Sequence, residues 1–261
     1  MAKKALSKTR SSKPWAALNL RVSLFFNAQD LKSPEPLWQK LFKNHPQNQV
    51  TKPSEFSLTE QGTFKCSANV DDPDAMLQIA SNPQRADFLV SSIIDAATFS
   101  EGTFPTIGQY ASNTQKFVDA AKAWANLQDR EIGRVAYGAI LALVVENRAK
   151  AYQALNDLLP SVEVANDENV TDFSYTINRR RKSAVMSDCL INRLSTWRSM
   201  QQHILIKFPN DSQKKSEKNF VFLELDINTH AMDHLKIEKA SELIDELQSL
   251  AIEIAEHGEI P

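Results

Sequence analysis

Glycine is scarce: the 261-residue chain has six, and none belongs to a Walker A sequence or a GxGxxG. Loops of those kinds let backbone amides close around a phosphate, so their absence weighs against a nucleotide-cradling enzyme. Cysteine is scarcer still. Cys66 and Cys189 stand alone, with no CxxC, which argues against a thiolate metal centre and a disulfide framework and for a reducing cytoplasm. HExxH and GxSxG are absent as well. The most apolar run, 135–145, is shorter than the ~20 residues a helical membrane span needs. The basic N-terminal stretch MAKKALSKTRSSKPW lacks the apolar segment of a signal peptide. Neither sign of charge dominates. A formal net charge of −2 gives no global attraction to nucleic acid or to an anionic membrane, so only a local patch could provide it. These absences predict a cytoplasmic protein with no membrane contact and no cofactor.

What is present is the material of a globular fold, 42% hydrophobic and 24% charged, enough for a sizeable core without cross-links. Residues 1–14 read as a disordered basic tail. The rest reads as two related halves, 15–128 and 129–261. An offset of 117 sets Leu18 on Val135 and carries Leu37, Trp38, Leu41 and Phe42 onto Ala154, Leu155, Leu158 and Leu159. It also sets Phe56-Ser57-Leu58-Thr59 on Phe173-Ser174-Tyr175-Thr176.

The stretch 129–159 is the ambiguous one. Its Ala and Leu content favours a single long helix. Gly133, Gly138, Tyr137 and the Val144-Val145 pair favour a strand over 134–145 and a helix over 147–159, matching the strand at 18–28 and the helix starting at 33–36. Further strands are expected within 56–70 and 75–94, with a hairpin turn at 60–63, then an irregular segment 96–113 and a helix 114–128 capped by Asn113 or Thr114. The second half continues with strands at 173–177 and 184–191 around a basic turn, then 194–198 and 203–208. A Lys-rich loop at 209–218, a cleanly alternating strand at 219–228 and an amphipathic helix at 236–256 complete it. Each half therefore runs strand, helix, antiparallel strands, helix. The predicted fold class is α+β, with helices packed on antiparallel sheets.

The strand Arg134-Val135-Ala136-Tyr137-Gly138-Ala139-Ile140 after a helix holding Trp124, the segment Phe222-Leu223-Glu224-Leu225-Asp226-Ile227 and the closing helix together resemble a sparsely distributed prokaryotic family of uncharacterised proteins of about this length. The resemblance spans most of 15–255. It implies no catalytic residues and, for some members, a place in mobile or defence-related loci.

Two clusters carry chemistry. Asp226, His230 and His234 combine a carboxylate with two imidazoles four positions apart, a ligand spacing for a metal, although the cluster straddles a strand end. Arg179, Arg180, Arg181 and Lys182 form the one dense basic run, which Arg130, Arg134, Arg193 and Arg198 could extend, with Trp197 and Tyr175 placed to stack on bases. The function expected from these features is a non-enzymatic interaction component of a bacterial multi-protein system, with anti-phage defence as one setting. It would bind a protein partner, its own copy, or nucleic acid through 179–182. The enzymatic alternative is a metal-dependent hydrolase or nuclease using Asp226, His230 and His234.

Overall fold

A computed structural model describes residues 13–27, 32–52, 57–66, 74–93, 104–163, 172–207, 213–232, 235 and 237–259. Ten strands form one antiparallel sheet. They are β1 (Ala16–Phe26), β2 (Asn48–Lys52), β3 (Ser57–Phe64), β4 (Ala75–Ser81), β5 (Arg85–Ser92), β6 (Ile132–Val145), β7 (Phe173–Asn178), β8 (Arg181–Lys182), β9 (Leu190–Lys207) and β10 (Gln213–Thr229). The order is β2-β3-β4-β5-β1-β6-β10-β9-β7, with β8 also on β9. Among the described residues four helices accompany it: α1 (Glu35–Phe42), α2 (Tyr110–Ala125), α3 (Arg148–Leu158) and α4 (Ile237–His257). The fold class is α+β. The strands of the two sequence halves join in a single sheet through the β1–β6 pair, where Arg21 lies opposite Gly138.

Alternation decides which face is covered. Leu20, Val22 and Leu24 of β1, Val135, Tyr137 and Leu141 of β6, and Val221, Leu223 and Ile227 of β10 are fully buried. Against them lie α2, on β1 and β5, and α4, on β6, β10 and α2. The α3 end reaches the same side, since the Glu259 amide donates to the Leu158 carbonyl at 2.8 Å. Aromatic side chains fill this layer: Phe88 meets Phe117 at 5.8 Å and Trp124 at 5.7 Å between ring centroids.

The stretch 134–145 is extended, as the glycines and β-branched pair predict, within a strand that begins at Ile132. The helix after it starts at Arg148, capped by Asn147, whose side-chain oxygen accepts from the Lys150 amide at 3.0 Å. Elsewhere the structure corrects the expectations. Residues 60–63 are not a turn: β3 runs through them. Gly62 is there because the Trp38 indole lies on it, and a Cβ would stand 2.6 Å from Trp38 Cζ2. The helix expected at 114–128 begins at Tyr110, so Asn113 and Thr114 lie inside it and not at its cap, bonded to the carbonyls of Ile107 and Tyr110. Ala184 to Asp188 are turn rather than strand, held by Ser183 Oγ, which accepts from the amides of Val185 and Met186. The strands expected at 194–198 and 203–208 are one strand, β9, and the expected loop at 209–218 already belongs to β10 from Gln213. Most of the N-terminal tail, residues 1–12, lies outside the described residues.

Both cysteines are free and buried. Burial pushes the Cys66 thiol up to about 12, against a smaller opposing pull from Lys116. Burial also raises the phenols of Tyr110 and Tyr137, which face each other at 3.2 Å. In the unfolded chain a thiol ionises near pH ~8.5 and a phenol near ~10. Above those values the unfolded state loses protons that the folded state keeps, so stability falls as pH rises from about 9 towards 12. Urea midpoints should therefore decline over that window, and Cys66→Ala should flatten its lower part.

Candidate functional site

The even-numbered residues of β6, β10 and β9 point away from the helices, and no described helix covers that face. Its composition changes along the strands. At one end it is polar. Asp87 pairs with Arg85 at 2.8 Å and accepts from Ser23 at 2.5 Å. Phe25 carries the guanidinium of Arg85 5.3 Å from its centroid and that of Arg134 at 4.9 Å. Arg21 lies across Gly138, where a Cβ would come within 3.3 Å of Nη2. On the other side of Gly138 an amide ladder crosses three strands. Asn178 donates to Asn192 at 3.2 Å, Asn192 to Asn228 at 3.0 Å, and Asn228 to the Asp226 carboxylate at 3.1 Å.

At the other end the face is apolar. Val144, Phe220 and Met200 share one cross-strand row, and Ala142, Phe222 and Arg198 the next. Val144 is 60% exposed, Met200 46% and Ile140 36%. Phe104 lies against this surface, with its ring 4.6 Å from Phe220 and 5.9 Å from Phe222.

Two of the three sequence-predicted metal ligands, Asp226 and His230, are among the described residues. Asp226 ends the amide ladder. His230 is exposed just past β10, and its Nδ1 accepts from the Leu190 amide at 3.0 Å. His234 lies outside the described residues, and among those described no three His, Cys, Asp or Glu side chains are grouped to hold a metal.

The basic run is bound to the end of α4. Arg179 Nη2 sits 2.6 Å from the buried Glu259 carboxylate, and Arg181 3.1 Å from Glu253. Arg193 lies 3.6 Å from the same Glu253 and is itself buried. Its burial lowers the guanidinium pKa from its usual value, and Glu253 opposes that shift. Arg180 donates to Asn192, and Lys182 is exposed. Arg130 stacks on Phe26 at 3.5 Å and Arg198 pairs with Glu224 at 3.5 Å, so neither extends the run. Trp197 is fully buried edge-on to Trp15 at 6.3 Å and presents no face to a base. Burial, followed by the Glu259 charge, raises the Tyr175 phenol.

Sequence reasoning missed the apolar end. Its signal was the apolar residues Ile140 and Val144 at the outward positions of a strand whose inward positions are apolar too. Compared with protein-family models and with curated proteins, the chain matches none.

Proposed function

We propose that this protein is a non-enzymatic interaction component of a bacterial multi-protein system and binds a protein partner through the apolar end of the open sheet face. The observation carrying this reading is the exposure of Val144, Met200 and Ile140 at outward positions of β6 and β9 on the same sheet face. Exposed apolar residues in a contiguous patch mark interaction sites far more than scattered ones do. A protein partner is favoured over nucleic acid because Arg179 and Arg181 are already neutralised by Glu259 and Glu253. The resemblance to the prokaryotic family supports a setting in a mobile or defence-related locus.

The reading includes the two related halves, and strand register supports them. Arg21 faces Gly138, its own counterpart at the offset of 117, and the rungs either side exchange roles: Leu20 with Ala139, Val22 with Tyr137. Leu58 pairs with Ser81, while Tyr175, 117 positions after Leu58, pairs with Trp197, 116 after Ser81. Leu20 pairs with Val90, while Tyr137 pairs with Ile227, 137 after Val90. The halves thus keep step until the hairpin of β9 and β10, which is the longer by the excess.

Val144→Asp tests the interface. The side chain is on the surface, so stability should change by less than about 0.5 kcal/mol. Proteins co-purifying with the tagged chain from native cells should be lost, as read by quantitative mass spectrometry. An unchanged set of co-purifying proteins would sink the reading.

A further inference from the structure

We infer that the polar end of the open sheet face binds a phosphate-bearing ligand, held by the guanidiniums of Arg21 and Arg134. This site is separate from the apolar end, which lies further along the same face. Two central strands build it. β1 and β6 pair with Arg21 opposite Gly138, Ser23 opposite Ala136 and Phe25 opposite Arg134. Between the two arginine rungs stand only the small side chains of Ser23 and Ala136.

Each guanidinium rests on an uncharged surface. Arg21 lies across Gly138, with Nη2 3.3 Å and Nε 3.4 Å from where a Cβ would stand. Arg134 sits over the Phe25 ring, 4.9 Å from its centroid. Among the described residues neither makes an ion pair or a hydrogen bond, and the Nε of each is buried without an acceptor. Other arginines of the fold are matched: Arg85 with Asp87, Arg179 with Glu259, Arg181 and Arg193 with Glu253, and Arg198 with Glu224.

Withdrawing a guanidinium N–H from water without an acceptor costs free energy. Two such groups on facing strands mark a place where the acceptor comes from outside. A guanidinium lying flat keeps the edge of its plane free, and that edge carries the N–H fork that grips two oxygens of one phosphate. Gly138 is what lets Arg21 lie flat. Charge favours a phosphate over a carboxylate, since a phosphate monoester carries about −1.5 to −2 at neutral pH and meets two cations.

Two carboxylates share the surface. Asp87 is taken up by Arg85 and Ser23. Asp226, opposite Gly138, accepts from Asn228 and pairs with no cation among the described residues. It opposes a phosphate near Arg21, so the tighter hold falls to Arg134. A hydroxyl or amine on the same ligand finds an acceptor in Asp226.

Isothermal titration calorimetry of the full chain with pyrophosphate, at constant ionic strength, provides the test. Arg134→Gln and Arg21→Gln should each weaken binding ~10-fold or more. Gly138→Ala, which lifts the Arg21 guanidinium but keeps its charge, should weaken it several-fold. Asp226→Asn should tighten it about 3-fold by removing a like charge, and Val144→Asp should leave it unchanged. Without ligand, both glutamine variants should melt at the wild-type temperature, because the N–H groups they remove have no partner in the free protein. Fluorescence anisotropy with a labelled oligothymidylate of about 15 nucleotides assigns the source of the phosphate. Arginine-dependent binding of the oligonucleotide in preference to pyrophosphate supports the backbone of a single strand; the reverse supports a small phosphorylated ligand. Absence of binding to both probes overturns the proposal, as does binding that both arginine variants leave intact. Glutamine variants that both melt well below the wild type overturn it too, because the guanidiniums would then serve the fold.

Discussion

Arg179→Ala should lower the unfolding free energy by about 3 kcal/mol, because it leaves a buried carboxylate without its cation. Glu259 is 2% exposed at its side chain, and Arg179 reaches it through both Nη2 at 2.6 Å and Nε at 2.8 Å. The remaining oxygen, Oε2, has no hydrogen-bond partner, and the other group that interacts with the carboxylate, the Tyr175 phenol, carries no charge to replace the guanidinium. Removing the charge as well as the cation should restore much of the loss. The double variant Arg179→Ala with Glu259→Gln is expected to be more stable than Arg179→Ala alone, as read from urea midpoints in a double-mutant cycle. Equal stability of the single and double variants would show that the carboxylate is relaxed into solvent. The outcome also bears on the basic run. A role in folding for Arg179 predicts that the variant fails by unfolding earlier, without any dependence on added nucleic acid.

Gly258→Ala should cost a comparable 3 kcal/mol or more, by a different route. Gly258 closes α4 with φ +79°, a conformation that adds ~1–2 kcal/mol for a residue with a Cβ. Here the Cβ would also stand 2.1 Å from the Leu158 carbonyl oxygen, a backbone atom at the end of α3. That carbonyl accepts the Glu259 amide, so relieving the clash means parting the two helix ends and giving up the bond. Gly258→Asn tolerates the dihedral better but carries the same Cβ. Equal losses for the two variants would assign the cost to the close approach, and a smaller loss for Asn to the dihedral. Thermal or urea unfolding of both separates the two contributions.

The fold class and the strand at 134–145 were legible because alternation and helix-breaking glycines act locally. The turn at 60–63 was misread for the same reason: a glycine needed for a tertiary contact looks identical in sequence to one needed for a bend. Gly62 serves Trp38, 24 positions away in the chain. The long β9 and β10 were cut short because the polar stretch 199–202 and the Lys-rich stretch 213–218 lower the local strand signal. In the candidate site, residue types were visible but their neighbours were not. Arg179 to Lys182 looked like free charge because Glu253 and Glu259 lie more than seventy positions further on. Trp197 looked available because its partner, Trp15, is at the other end of the chain. The apolar strip escaped notice because its members come from β6, β9, β10 and the segment before α2, and no single stretch contains it.

The β1–β6 seam has a consequence for synthesis on the ribosome. β1 lies near the middle of the sheet, with β5 on one edge and β6 on the other. Its partner residues on β5 emerge only at 85–91, and those on β6 only at 132–142. At ~5–20 residues per second, the β6 edge of β1 stays open for roughly five to twenty seconds after β1 is complete. Throughout that interval an unpaired, largely apolar strand edge is available to any other nascent chain. β9 and β10, by contrast, pair with each other almost as soon as both exist. The strand at the heart of the sheet is thus the first made and the one that waits longest for its second partner.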